Sequence, residues 1–109
     1  MPVPEISVDD LAERLAAGAP LVDVRQPEEY VSGHVPGAVL VPLATVPEQI
    51  GQFVHDGPGP VYVICRSGAR SMNACEYLAA QGLDVVNVQG GTVAWVMSGR
   101  DVVMGDEPS

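Results

Sequence analysis

Apolar and polar positions along this chain switch repeatedly between helical and strand periods. Val8, Leu11 and Leu15 keep one helical face behind Ser7, which with Asp10 resembles a capping box, and Gly18 closes the run, so the spacing predicts a helix over about residues 8–17. Leu21-Val22-Asp23-Val24 is a short β-rich run ended by Gln26-Pro27, where a helical turn through Glu28, Glu29 and Tyr30 can begin. Gly33 to Gly37 is loop chemistry, and Ala38 to Val41 predicts the next strand. Thr45 with Glu48 reads as a second capping box, ahead of Val46, Ile50, Phe53 and Val54 at helical spacing, with Asp56-Gly57-Pro58-Gly59 as the stop. Val61-Tyr62-Val63-Ile64 is a continuous apolar, β-branched run of the kind buried on both faces of a parallel sheet. From about Arg70 the period is helical again, with Met72, Cys75 and Ala79 on one face and Gly82 as the stop. Val85 to Val88 is the last clear strand; Gly90-Gly91 leads a short helix through Trp95 to Gly99, and residues 104–109 are expected to fray.

Strands that alternate with helices predict an α/β sandwich around a mostly parallel sheet, because parallel neighbours need crossover connections. Ligands in such folds bind beyond the carboxyl ends of strands. That rule selects the loop after Ile64, which begins at Cys65. The chain's 109 residues suit one domain, with its core over about 6–103, and its 47% hydrophobic content with 12 Gly and 10 Pro suits many short elements.

Charge narrows the function. The net charge of −9 is reached without a lysine, the basic residues being Arg14, Arg25, Arg66, Arg70 and Arg100. No basic surface is available for nucleic acid. An anion site has to be made locally, and Arg66 with Arg70 beside Cys65 is the closest basic pair. The first residues show neither a basic region nor an apolar stretch of signal length, and the run Ala38 to Val46 is broken by Pro42, so a cytoplasmic location without a membrane is expected. The two cysteines do not form Cys-x-x-Cys, and with two histidines no zinc pattern exists; reduced thiols and no metal are expected.

A cysteine ending a buried strand, with a Gly-containing loop that opens a helix, sits under backbone N–H groups and the positive end of a helix dipole. That field, with Arg66 and Arg70, favours thiolate, the reactive species. The plainer alternative, a small apolar residue finishing a strand, fits the charged flanks less well. For Cys75, inside the apolar helical stripe, core packing is the better reading, and a disulfide between the two is disfavoured. Asp23 and Arg25 read as a partly buried ion pair tying a strand end to a loop, His34 as a structural hydrogen-bonding residue, and Trp95 as core or wall with its indole N–H on one acceptor. Gln26-Pro27-Glu28-Glu29 reads as a solvated helix start.

Four motifs in order, Leu21-Val22-Asp23-Val24-Arg25 with Pro27-Glu28-Glu29-Tyr30, Gly33-His34-Val35-Pro36-Gly37-Ala38, Cys65-Arg66-Ser67-Gly68-Ala69-Arg70-Ser71, and Gly90-Gly91 with Ala94-Trp95, resemble the single-domain rhodanese family from about Ile6 to Val103. The resemblance implies a rhodanese-like three-layer sandwich with a central, mostly parallel five-stranded sheet. It implies a sulfurtransferase in which Cys65 takes sulfane sulfur from thiosulfate or a persulfide donor and passes it to cyanide or a thiol, which can belong to a sulfur-acceptor protein. Arg66, Ser67, Gly68, Ala69 and Arg70 would then form the substrate-binding loop, with no cofactor. The same resemblance raises two other classes. Phosphatases and arsenate reductases of this fold carry five residues between Cys and Arg, whereas four, Arg66 to Ala69, separate Cys65 from Arg70. Non-catalytic binding modules typically lack the loop cysteine.

Overall fold

Residues 2–109 are described by a computed structural model of the chain. Its sheet comprises β1 (Glu5–Ile6), β2 (Leu21–Asp23), β3 (Val39–Leu40), β4 (Val61–Ile64) and β5 (Val85–Val88) in the order β1-β5-β4-β2-β3, every pairing parallel. The helices α1 (Val8–Ala16), α2 (Pro27–Val31), α3 (Ala69–Ala80) and α4 (Gly91–Met97) supply the crossovers and cover both faces. The α/β sandwich expected from the alternating pattern is therefore present, with a fifth strand, β1, of two residues, too short to show a period.

Along β4 the pleat sends successive side chains to opposite faces. Val61, Val63 and Cys65 enter a core shared with Cys75 and Leu78 of α3, while Tyr62 and Ile64 enter a second core with Leu11 of α1, Tyr30 of α2 and Trp95 of α4. Apolar residues at every position of β4 follow from this two-sided cover. Each aliphatic side chain so buried contributes roughly 1.5–3 kcal/mol. Burial also fixes register, because a one-residue slip of β4 would exchange the two sets and turn Cys65 away from α3.

Three expectations are corrected. Leu43–Phe53 is a 3-10 run interrupted at Gln49 (φ −126°, ψ 34°) rather than an α-helix capped by Thr45 and Glu48. Pro47 inside it supplies no N–H and disfavours α geometry at Val46, and the Thr45 hydroxyl bonds Pro42 O and Gln49 Nε2 instead of capping. Val46 and Phe53 are buried there, but Val54 is exposed. On α3 the buried stripe is Ser71, Ala74, Cys75 and Leu78, with Met72 at its edge and Ala79 exposed. Residues 104–109 are tied down rather than frayed: Gly105 N–H donates to Val31 O at 2.9 Å, Gly37 N–H to Pro108 O at 2.9 Å, and His34 Nε2 lies 2.8 Å from Glu107 O. The two backbone bonds leave no mark in side-chain pattern, and His34 meets Glu107 across 73 positions of sequence.

Candidate active site

The loop from Cys65 to Gly68 joins the carboxyl end of β4 to α3. It can turn this tightly because Gly68, immediately before α3, lies in the left-handed region at φ 111°. The turn folds the Gly68 N–H back onto Cys65 Sγ at 3.1 Å. From the first turn of α3 the Ser71 hydroxyl reaches the same sulfur at 3.2 Å. The start of α4 closes the other side: Thr92 and Val93 N–H groups donate to the carbonyls of Cys65 and Arg66 at 2.9 and 3.0 Å. Gly91, at φ 59°, makes that approach possible, since a Cβ there would meet the carbonyl oxygens of Cys65 and Arg66 at 2.5 Å. Thr92 and Val93 thus hold the loop against the start of α4, an approach that Gly91 permits.

Cys65 is only 1% exposed. Burial works against ionisation of its thiol, but the Ser71 hydroxyl and the backbone N–H groups of Ser71, Gly68 and Ser67 outweigh it, and the thiol ionises below its usual value of 9.0. A buried sulfur facing several donors has a negative charge stabilised before any substrate arrives, which is the arrangement that covalent catalysis by a thiolate requires. Ala69 is exposed at the first position of α3, and Ser67 is exposed with its backbone turned to the sulfur.

The two loop arginines part company. Arg70 is held in a two-pronged ion pair by Glu29 of α2, Nη1 to Oε1 at 2.7 Å and Nη2 to Oε2 at 2.9 Å. Its guanidinium holds the Glu29 carboxyl down at about 2, against the opposing effect of burial, and Arg70 is itself raised by that bond. The reading of Glu29 as a solvated helix-start residue is corrected by this pair. Arg66 instead lines an open cleft of roughly 390 Å³ beside the loop, with Arg25 and Glu29 on one side and Val93, Val96 and Met97 of α4 on the other. Val96 and Met97 are 52% and 82% exposed there.

Asp23 and Arg25 are buried and joined by a bond of 2.9 Å, and Arg25 Nη2 also donates to Gly33 O at 2.8 Å, as a strand-to-loop tie requires. His34 is buried, stacked on Tyr30, with Nδ1 at 2.8 Å from Tyr30 O. Trp95 donates its indole N–H to Asp101 O at 2.8 Å. No cluster of potential metal ligands occurs among the described residues.

Residues 7–98 match the model of the rhodanese-like domain. The chain belongs to the rhodanese-like family. Among related proteins, YtwF of Bacillus subtilis (strain 168), named provisionally as a sulfurtransferase, is 44% identical over 98 residues, covering 87% of this chain and 92% of that one. A protein of Allochromatium vinosum named sulfurtransferase is 39% identical, covering 93% and 95%. YrkF of Bacillus subtilis, named provisionally as a sulfur carrier protein, is 34% identical, and the match spans 51% of its length. The crystal structure of a rhodanese-related protein from Thermoplasma volcanium superposes with a TM-score of 0.84 at 33% identity, covering 93% of this chain and 98% of that one.

Within this rhodanese-like domain, sequence reasoning left three polar residues out of the site: Ser71 and Asn87, both fully buried, and Thr92, whose hydroxyl donates to Cys65 O at 3.1 Å. Ser71 falls one turn into α3, on the face that meets β4, and Asn87 is the one polar side chain in the otherwise apolar run of β5. A buried polar residue in such a run is the signal that could have found Asn87.

Proposed function

We propose that this chain is a sulfurtransferase that carries sulfane sulfur as a persulfide on Cys65. The observation that carries the reading is the buried Cys65 sulfur with its Gly68 N–H and Ser71 hydroxyl donors. In the first half-reaction the Cys65 thiolate attacks the sulfane sulfur of thiosulfate; an Sγ–S bond forms, the S–S bond of the donor breaks, and sulfite leaves with the bonding pair. The charge of the thiolate moves to the outer sulfur of the persulfide, so three negative charges stand on each side and nothing is oxidised or reduced overall. In the second half a thiolate or cyanide attacks that outer sulfur and returns Cys65 as thiolate. A persulfide donor enters in the same way, with a thiolate as leaving group.

Arg66, on the open cleft, draws the anionic donor in, and Arg70 with Glu29 braces the loop from α2. Ser67, Gly68 and Ala69 shape the turn that aims the backbone donors. The relatives named for sulfur transfer and sulfur carriage support a sulfur donor and a thiol acceptor as partners, the acceptor being a small thiol or a cysteine on another protein. A thiolate resting state suits a reducing compartment such as the cytoplasm.

The test is to incubate the purified protein with thiosulfate, weigh the intact protein for one added sulfur on Cys65, and follow thiocyanate formation with cyanide, with an aryl phosphate run in parallel. Persulfide formation with thiocyanate turnover and no phosphate hydrolysis is expected. Phosphate hydrolysis without persulfide would overturn the reading.

A further inference from the structure

Behind Cys65 the Ser71 hydroxyl leads on to a second buried polar side chain, Asn87, that the reaction above does not use. Ser71 Oγ lies between Cys65 Sγ, at 3.2 Å, and Oδ1 of Asn87 on β5. Asn87 Nδ2 donates to Glu5 Oε2 of β1 at 2.9 Å and to Gly68 O at 3.2 Å. Both of those partners only accept, so they fix the Asn87 amide, and its oxygen must be the atom that faces Ser71.

The Ser71 hydroxyl has one proton and more than one place to send it. Gly68 O, at 3.3 Å, already accepts from Met72 N–H at 3.1 Å and from Asn87 Nδ2, which occupies both of its lone pairs. The remaining acceptors are Cys65 Sγ and Asn87 Oδ1. Their ranking depends on the sulfur. A thiolate is a charged acceptor and wins the proton. Once sulfur is added, the charge sits on the outer atom and Sγ is a neutral, weak acceptor, so an amide oxygen wins instead. An alternating acceptor is needed because Ser71 and Asn87 are both 0% exposed and no water can replace a lost bond cheaply.

We propose that Asn87 is a positioning residue for the sulfur-loaded state: its Oδ1 takes the Ser71 proton when Cys65 becomes a persulfide, so the hydroxyl is bonded in both halves of the cycle. The proposal rests on the sulfur-transfer reading and adds to it a residue that touches neither donor nor acceptor. Asn87 favours the loaded form and leaves the thiolate's own donor to Ser71. Its loss therefore acts with opposite preference on two properties that general damage to the loop would lower together.

The experiment measures the equilibrium between thiosulfate with free enzyme and sulfite with persulfide enzyme, and separately the rate at which iodoacetamide alkylates Cys65 at one fixed pH. In Asn87→Leu, which has similar size and no acceptor, the loading equilibrium is expected to fall about tenfold, the effect of one buried hydroxyl left unbonded, while alkylation is not slowed. In a Ser71→Ala background the same substitution should change loading less than about twofold, because the proton it receives is gone. An equal fall in both backgrounds would mean that Asn87 acts only by bracing Gly68, and would overturn the proposal, as would slowed alkylation in Asn87→Leu. If Asn87→Leu does not fold, Asn87→Val, a strand-favouring residue that also lacks the acceptor, takes its place in both backgrounds, and the same outcomes decide. Wild type that loads normally beside an unaffected Asn87→Leu overturns this proposal alone. Wild type that never loads overturns the sulfur-transfer reading, and the proposal with it.

Discussion

Cys65 and Cys75 share one core cluster, both free and both almost fully buried, yet their thiols are pushed in opposite directions. Burial is the largest cause acting on each, and it opposes ionisation in both. At Cys75, in mid-helix on α3, no donor answers it; the Cys65 charge adds to it, and the thiol is pushed up to about 12. At Cys65 the helix has not yet begun, so N–H groups of the loop and first turn still lack carbonyl partners and turn to the sulfur, joined by the Ser71 hydroxyl. Position relative to the start of α3, rather than burial or residue type, separates the thiol that is lowered from the one that is raised.

The comparison breaks most visibly by removing the Cys65 thiol. Cys65→Ser is expected to abolish persulfide formation and thiocyanate turnover while circular dichroism stays that of wild type, because the hydroxyl is nearly isosteric and far less nucleophilic. Residual turnover near wild type would remove Cys65 from the mechanism. Cys75→Ser should keep the activity per folded molecule and instead lower stability by about 1–3 kcal/mol, as a hydroxyl enters an apolar core. Denaturant unfolding measures that loss. Alkylation gives the same contrast without mutation: at neutral pH the folded protein should be labelled at Cys65 and spared at Cys75.

The contrast was partly legible beforehand. A β-branched run ending in Cys65, a glycine in the following loop and a helical period after it are local signals, and local signals survive in a sequence. The stripe placing Cys75 in the core is of the same kind. What was not legible is long-range or backbone-borne. Glu29 and Arg70 meet across 41 positions of sequence, the two residues of β1 are too few to show a period, and the chain end is held by carbonyl and amide groups common to every residue. Ser71 belongs to the motif that begins at Cys65, but that its hydroxyl reaches Sγ depends on the rotation of α3 against β4. The Thr45–Glu48 pattern misled because Pro47, between them, overrides a capping signal.

A smaller effect separates the arginines. Arg66→Ala should lower the specificity constant for thiosulfate severalfold more than for an uncharged persulfide donor, because Arg66 lines the open cleft and in the proposed reaction its charge acts on the incoming anion. Arg70→Ala, which strips Glu29 of its partner, should instead lower both constants together. The ratio of the two constants for each variant is the measurement, and a matching ratio for both variants would mean that the arginines do the same work.

The smallest effect is expected at Glu29→Gln, and its pH dependence follows from the direction of the carboxyl's shift. Folding lowers the Glu29 carboxyl from 4.5 to about 2, chiefly through the Arg70 guanidinium. A depressed carboxylate stabilises the fold fully above its unfolded value and stops doing so as pH falls through its folded value. The difference in unfolding free energy between wild type and Glu29→Gln should therefore be flat from neutral pH down to about 4.5 and shrink to nothing near pH 2. Side chains 34% and 29% exposed are screened by water, so the plateau should be no more than about 1 kcal/mol. Cys65 should be alkylated at the wild-type rate in this variant, because the donors that lower its thiol are Ser71 and the loop N–H groups rather than the Glu29 pair. A marked change in that rate would move the origin of Cys65 reactivity from the start of α3 to the ion pair beside it, and the difference between the two cysteines would then need a different cause.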